Sequence, residues 1–137
     1  MDKRLHGKDA RVDARGIRPP DAYSIAERAA PDGVVVLELA GEFDVAAASV
    51  LCERFDAAHA RRPQAVVADM ADVTFADSST LRELLRASSS MRDAGTRFIP
   101  AALPAVVERL LDLTRARELL EVAPSVEAAL TRLDGRR

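Results

Sequence analysis

Apolar side chains along this chain alternate between two rhythms, a period of two and a period near 3.6. Tyr23 and Ile25 alternate with polar neighbours and predict a short edge strand over Tyr23–Glu27. Pro31-Asp32-Gly33 reads as a turn into Val34–Leu39, so the two segments form a hairpin that Gly41 ends. Asp44 then stands where a helix needs a side-chain oxygen for its first backbone N–H groups, and the spacing predicts a helix over Val45–Ala60. Ala47, Val50, Leu51, Phe55 and Ala58 form its inner face, Glu53, Arg54 and Asp56 point outward, and Pro63 stops it.

Ala65-Val66-Val67-Ala68 is too short for a helix and β-branched at its centre, which predicts a strand buried on both faces. A polar loop follows over Asp69–Ser79. Leu81, Leu84, Leu85 and Met91 then recur on one helical face with Arg82, Glu83 and Arg86 between them, as far as Gly95. Thr96–Ile99 reads as a strand, Pro104–Leu113 as a helix, Leu120–Val122 as a short strand and Pro124–Leu133 as the last helix. Strands alternating with helices predict an α/β sandwich, with a mixed, mostly parallel sheet of about four or five strands and about four helices. Ser88-Ser89-Ser90 reads as exposed filler within its helix.

Composition sharpens this picture. The chain has 137 residues, 48% hydrophobic and 31% charged, which suits one packed domain, and aromatics at 4% leave few stacking platforms for single-stranded nucleic acid. Residues 1–20 hold no sustained period and carry six basic groups (Lys3, Arg4, Lys8, Arg11, Arg15, Arg18) against three acids (Asp2, Asp9, Asp13). They read as a flexible leader of charge +3, so the net charge of −2 leaves about −5 for the remainder. The domain is expected over residues 21–134, with a tail over 135–137. A mildly acidic body argues against duplex binding. One cysteine, no apolar run of membrane length and no export signal place the chain in the cytoplasm by expectation, away from membranes, and Cys52 reads as a buried, inert thiol.

The chemistry concentrates in Asp77-Ser78-Ser79-Thr80, at the predicted start of a helix where backbone donors are unpaired and the macrodipole is positive. Any helix prefers such residues as caps, and Thr80 with Glu83 has capping-box spacing. Three hydroxyls and a carboxylate nevertheless exceed what one cap uses. A phosphate here would gain from the helix start while meeting the charges of Asp77 and Asp44.

Gly41-Glu42-Phe43-Asp44 and Asp69 to Leu81, with the Phe-x-Asp-Ser-Ser-x-Leu core at Phe75–Leu81, resemble the two signature stretches of STAS domains, found in bacterial anti-sigma-factor antagonists. The resemblance covers about residues 22–133. It implies a partner-switching cycle in which the unphosphorylated antagonist binds an anti-sigma factor that doubles as a serine kinase, freeing a sigma factor. Phosphorylation breaks that complex and a phosphatase restores it. By the same resemblance Ser78 is the phosphorylation acceptor, Asp77 flanks it, Ser79 caps the helix and Asp44 is the acidic residue nearby, with Asp44, Asp77, Ser79 and Thr80 forming the docking surface. The chain itself then needs no cofactor and no metal, since ATP and magnesium belong to the kinase. Thr80 departs from the family, which commonly has Gly there: either its β-branched bulk beside the acceptor alters kinase docking or, as the favoured expectation, its methyl group is accommodated against the partner.

Other readings are poorer. A hydrolase triad would need His59 or His6 beside Ser78 or Ser79, and Gly-x-Ser-x-Gly is absent. Two distant histidines and one cysteine offer no metal-ligand spacing. A nucleic-acid binder working through the basic leader has little support. An unphosphorylated scaffold or accessory subunit of a signalling or transport assembly is the chief alternative, and oligomeric state is left open.

Overall fold

Two aspartates divide strand from helix at corresponding places in the fold, and the architecture follows from that repetition. In the computed structural model, which describes residues 22–134, the chain runs β1 (Tyr23–Ala30), β2 (Val34–Phe43), α1 (Val45–Ala60), β3 (Ala65–Ala76), α2 (Ser78–Asp93), β4 (Arg97–Ala101), α3 (Ala105–Thr114) and α4 (Val126–Asp134). Short 3₁₀ turns lie at Pro31–Gly33 and Ala116–Leu119. The leader and tail expected over residues 1–20 and 135–137 lie outside the described residues.

The sheet order is β1-β2-β3-β4, with β1 antiparallel to β2 and the other pairs parallel. This is the mixed, mostly parallel sheet expected, with four helices. Strand pleating sends alternate residues to opposite faces. Leu37, Leu39, Val66, Ala68, Met70 and Phe98 pack under α1, α2 and α3, and Phe55 meets Phe98 edge-on at 5.0 Å between ring centroids. Val34, Val36, Val67 and Ile99 face the other way, against Val126, Ala129 and Leu133 of α4. Arg86 ties α2 to α1, donating to Glu83 at 2.9 and 2.8 Å and to Asp56 at 2.9 Å.

Four expectations need correction. β3 continues to Ala76, so the segment expected as a loop from Asp69 is strand: Met70, Val73 and Ala76 remain buried while β2 supplies the hydrogen-bonding partner. Gly41 does not end β2. It sits inside the strand at φ 95°, and a Cβ there would overlap the Ala22 carbonyl oxygen, so the position needs glycine for both conformation and space. Leu120–Val122 is not a strand; only Ala123 makes an isolated parallel bridge, to Ala101. Ser88 is buried and donates to the Leu119 carbonyl oxygen at 3.4 Å, so that part of the serine run is structural.

Candidate functional site

Register brings the two helix starts together. Phe43 pairs with Ala76 across β2 and β3, so Asp44 and Asp77 leave neighbouring strand ends, and α1 and α2 begin one residue later. Both aspartates have extended backbone and act as N-caps. Asp44 accepts from the Ala47 N–H at 3.0 Å, and Asp77 accepts from the Ser79 N–H at 3.0 Å. The capping residue of α2 is therefore Asp77 and not Ser79, and Glu83, expected as the partner in a capping box with Thr80, is occupied by Arg86.

The three hydroxyls have separate fates. Ser79 Oγ donates to Asp77 Oδ1, reinforcing the cap. Thr80 is fully buried and its Oγ1 donates to the Phe43 carbonyl oxygen at 3.2 Å. Its place on a docking surface is thus corrected: neither its methyl group nor its hydroxyl reaches solvent, because the side chain fills the gap between α2 and the end of β2. Ser78 alone is exposed, at the first helical position, and its hydroxyl has no hydrogen-bond partner among the described residues.

Apolar surface accompanies this hydroxyl. Val45, at the matching first position of α1, is 70% exposed. Beneath it Tyr23 packs on Phe43, with ring centroids 5.3 Å apart. Burial, then the nearby Asp44 and Glu53 carboxylates, push the Tyr23 phenol above its ordinary pKa. Sequence reasoning missed Val45, because a valine after a helix cap carries no signal until the neighbouring helix is known to start beside it.

His59 is not brought to Ser78. Parallel β2 and β3 make α1 and α2 run in the same direction, and His59 stands near the far end of α1, about 20 Å down the helix axis at about 1.5 Å per residue. Cys52 is half-buried, less enclosed than expected. Burial and then Glu83 push its thiol pKa up, which disfavours the reactive thiolate. Among the described residues no His, Cys, Asp and Glu cluster could hold a metal ion, and no helix is long and apolar enough to cross a membrane.

The chemistry available at this end is that of an accessible alcohol beside two carboxylates and an apolar rim. Comparison with known proteins identifies relatives of the fold. A family model described as the STAS domain matches residues 26–129. An anti-sigma factor antagonist from Mycobacterium paratuberculosis is similar in structure, with TM-score 0.70 and 27% identity over 83% of this chain and 96% of that one. The Bacillus cell fate determinant SpoIIAA in its phosphorylated form gives TM-score 0.65 and 16% identity, over 80% and 99% of the two chains. The murine anion transporter Slc26a9 gives TM-score 0.61 and 20% identity, over 92% of this chain and 21% of the transporter. Among curated protein sequences none matches significantly.

Proposed function

The chain belongs to the STAS domain family, and from that footing we propose that it is an anti-sigma factor antagonist switched by phosphorylation of Ser78. The unphosphorylated form binds an anti-sigma factor that is also a serine kinase, and a sigma factor is released. Phosphorylation ends the complex and a phosphatase restores it. Catalysis belongs to those two enzymes, and this chain supplies the substrate hydroxyl and the docking surface.

The observation that carries the reading is the allocation of hydroxyls at the start of α2. Ser79 and Thr80 are consumed by Asp77 and by the Phe43 carbonyl, while Ser78 is left exposed without a partner among the described residues. A phosphate on Ser78 adds roughly −1.5 to −2 charges beside Asp77 and Asp44 without breaking a bond that the fold uses. The surface becomes strongly negative where Val45 offers apolar contact, and a partner seated there is repelled. The likeness to an anti-sigma factor antagonist at 27% identity supports the partner class. SpoIIAA, solved in a phosphorylated form, supports the compatibility of the fold with phosphate.

Incubation with ATP and candidate serine kinases, followed by mass spectrometric mapping, tests the reading. Phosphate is expected on Ser78 and absent from Ser78→Ala; phosphate on neither Ser78 nor Ser79 with any cognate kinase favours the second reading. That reading, an unphosphorylated scaffold or transport accessory, draws on the likeness to the transporter domain.

A further inference from the structure

The three arginines of α2 differ in what they hold. Arg86 donates to Glu83 and to Asp56, and Arg92 donates to Ser88 Oγ and to the Leu119 carbonyl oxygen, both at 3.3 Å. Arg82 is exposed, and its guanidinium has neither a hydrogen bond nor an ion pair among the described residues. It stands four residues after Ser78 on the same face of α2, a spacing at which Cβ atoms are about 5–6 Å apart. Long helical side chains lean toward the N-terminus, so Arg82 reaches back over the turn that carries the Ser78 hydroxyl.

A phosphate on Ser78 would meet opposing forces. Asp77 caps α2 and Asp44 caps the neighbouring α1, and both carboxylates repel added negative charge. The first turn of α2 contains no acidic side chain, so the positive end of its macrodipole is open to an anion at Ser78. An anion followed four residues later by a cation is the favourable order for a helical pair, since it sets the negative member nearer the positive end of the helix. Arg82 supplies that cation. It neutralises one of the charges that a phosphate adds, and with Asp77 and Asp44 the balance of the site stays negative.

We propose that Arg82 is the internal partner of a phosphate on Ser78, closing on it as an ion pair across one turn of α2 once the serine is modified. The inference rests on the reading of Ser78 as the acceptor, and it names the residue that lets the fold tolerate the phosphate. Before modification the guanidinium stays in solvent. Afterwards its N–H groups donate to phosphate oxygens, bidentate geometry being available to arginine, and the pair offsets the repulsion from the two capping carboxylates. The pair forms at the surface, so salt weakens it.

The test is a cycle of four full chains, with serine or phosphoserine at position 78 and with or without Arg82→Gln. The phosphoserine is placed during synthesis, so no kinase is needed. At about 20 mM salt, Arg82→Gln should lower the urea midpoint by about 0.3 M more in the phosphoserine chain than in the serine chain. Arg82→Lys keeps the charge and should recover part of that difference, and about 1 M salt should remove most of it. A nitrogen-labelled sample gives a second readout: the Arg82 Nε–H resonance should move when phosphoserine replaces serine, and that of Arg92, near the far end of α2, should not. Equal midpoint shifts from Arg82→Gln in the two chains, or an Arg82 resonance unmoved by phosphoserine, would overturn the pair while leaving the switch at Ser78 standing. Failure of the switch reads differently, as undiminished affinity of the phosphoserine chain for the anti-sigma factor.

Discussion

Thr80 Oγ1 donates to the carbonyl oxygen of Phe43 at 3.2 Å, a bond made inside the protein that joins the first turn of α2 to the strand end preceding the Asp44 cap. One hydroxyl thereby fixes two helix starts relative to each other. Thr80→Val keeps the shape and removes the donor, so it should cost about 1–3 kcal/mol, with Thr80→Ser retaining most of the stability. Urea denaturation checks this, and a valine variant as stable as the parent would show that the bond contributes nothing.

Asp77 combines a cap with a charge, and the two are separable. Asp77→Ala removes the acceptor for the Ser79 N–H and is expected to destabilise by about 0.5–2 kcal/mol. Asp77→Asn keeps an acceptor oxygen and should remain near parental stability while removing negative charge beside Ser78. Thermal unfolding of the two variants side by side distinguishes the roles.

Gly41→Ala should be costly out of proportion to its size. The φ of 95° disfavours any side chain, and the new Cβ would meet the Ala22 carbonyl, so β1 must move at its start. A loss above about 1 kcal/mol is expected, with faster amide hydrogen exchange at the paired Tyr23–Gly41 end of the hairpin. Unchanged exchange there would contradict the packing described.

Cys52 gives a pH-dependent readout. Its thiol pKa is raised by burial and by Glu83, so at pH 8 a smaller thiolate fraction is expected in the native chain than in the unfolded one. Alkylation should therefore be slower in the native state at that pH, and the native rate should keep rising with pH after the unfolded rate has levelled. Equal rates at pH 8 would remove the proposed protection.

Much of this arrangement is legible from residue order alone. Asp44 and Asp77 mark helix starts because caps are local: a short acceptor, extended backbone and an amphipathic run downstream suffice to recognise them. The far half of β3 is not legible in this way. Asp69, Asp72 and Thr74 give it the polarity of a loop, and its buried positions Met70, Val73 and Ala76 fall three apart and not two because the register slips against β2. Past Asp69 the strand pairs only with β2, since β4 ends opposite it, and one uncovered face tolerates polar side chains. Thr80 failed as a docking residue for a related reason: burial of a helix's first turn depends on how the neighbouring strand ends, a tertiary relation that no short window contains. The same holds for Ser88, which bonds to a carbonyl 31 residues away.

The most direct measurement compares three forms of the chain, the parent, Ser78→Ala and one with phosphoserine incorporated at position 78, for affinity to the anti-sigma factor that Ser78→Ala retains from its native source. The parent and Ser78→Ala should bind alike, and the phosphoserine form should bind about a hundredfold or more weakly, about 2.7 kcal/mol, with its urea midpoint unchanged. Equal affinity of all three forms, or unfolding of the phosphoserine form, would contradict a switch that acts by charge at an exposed hydroxyl.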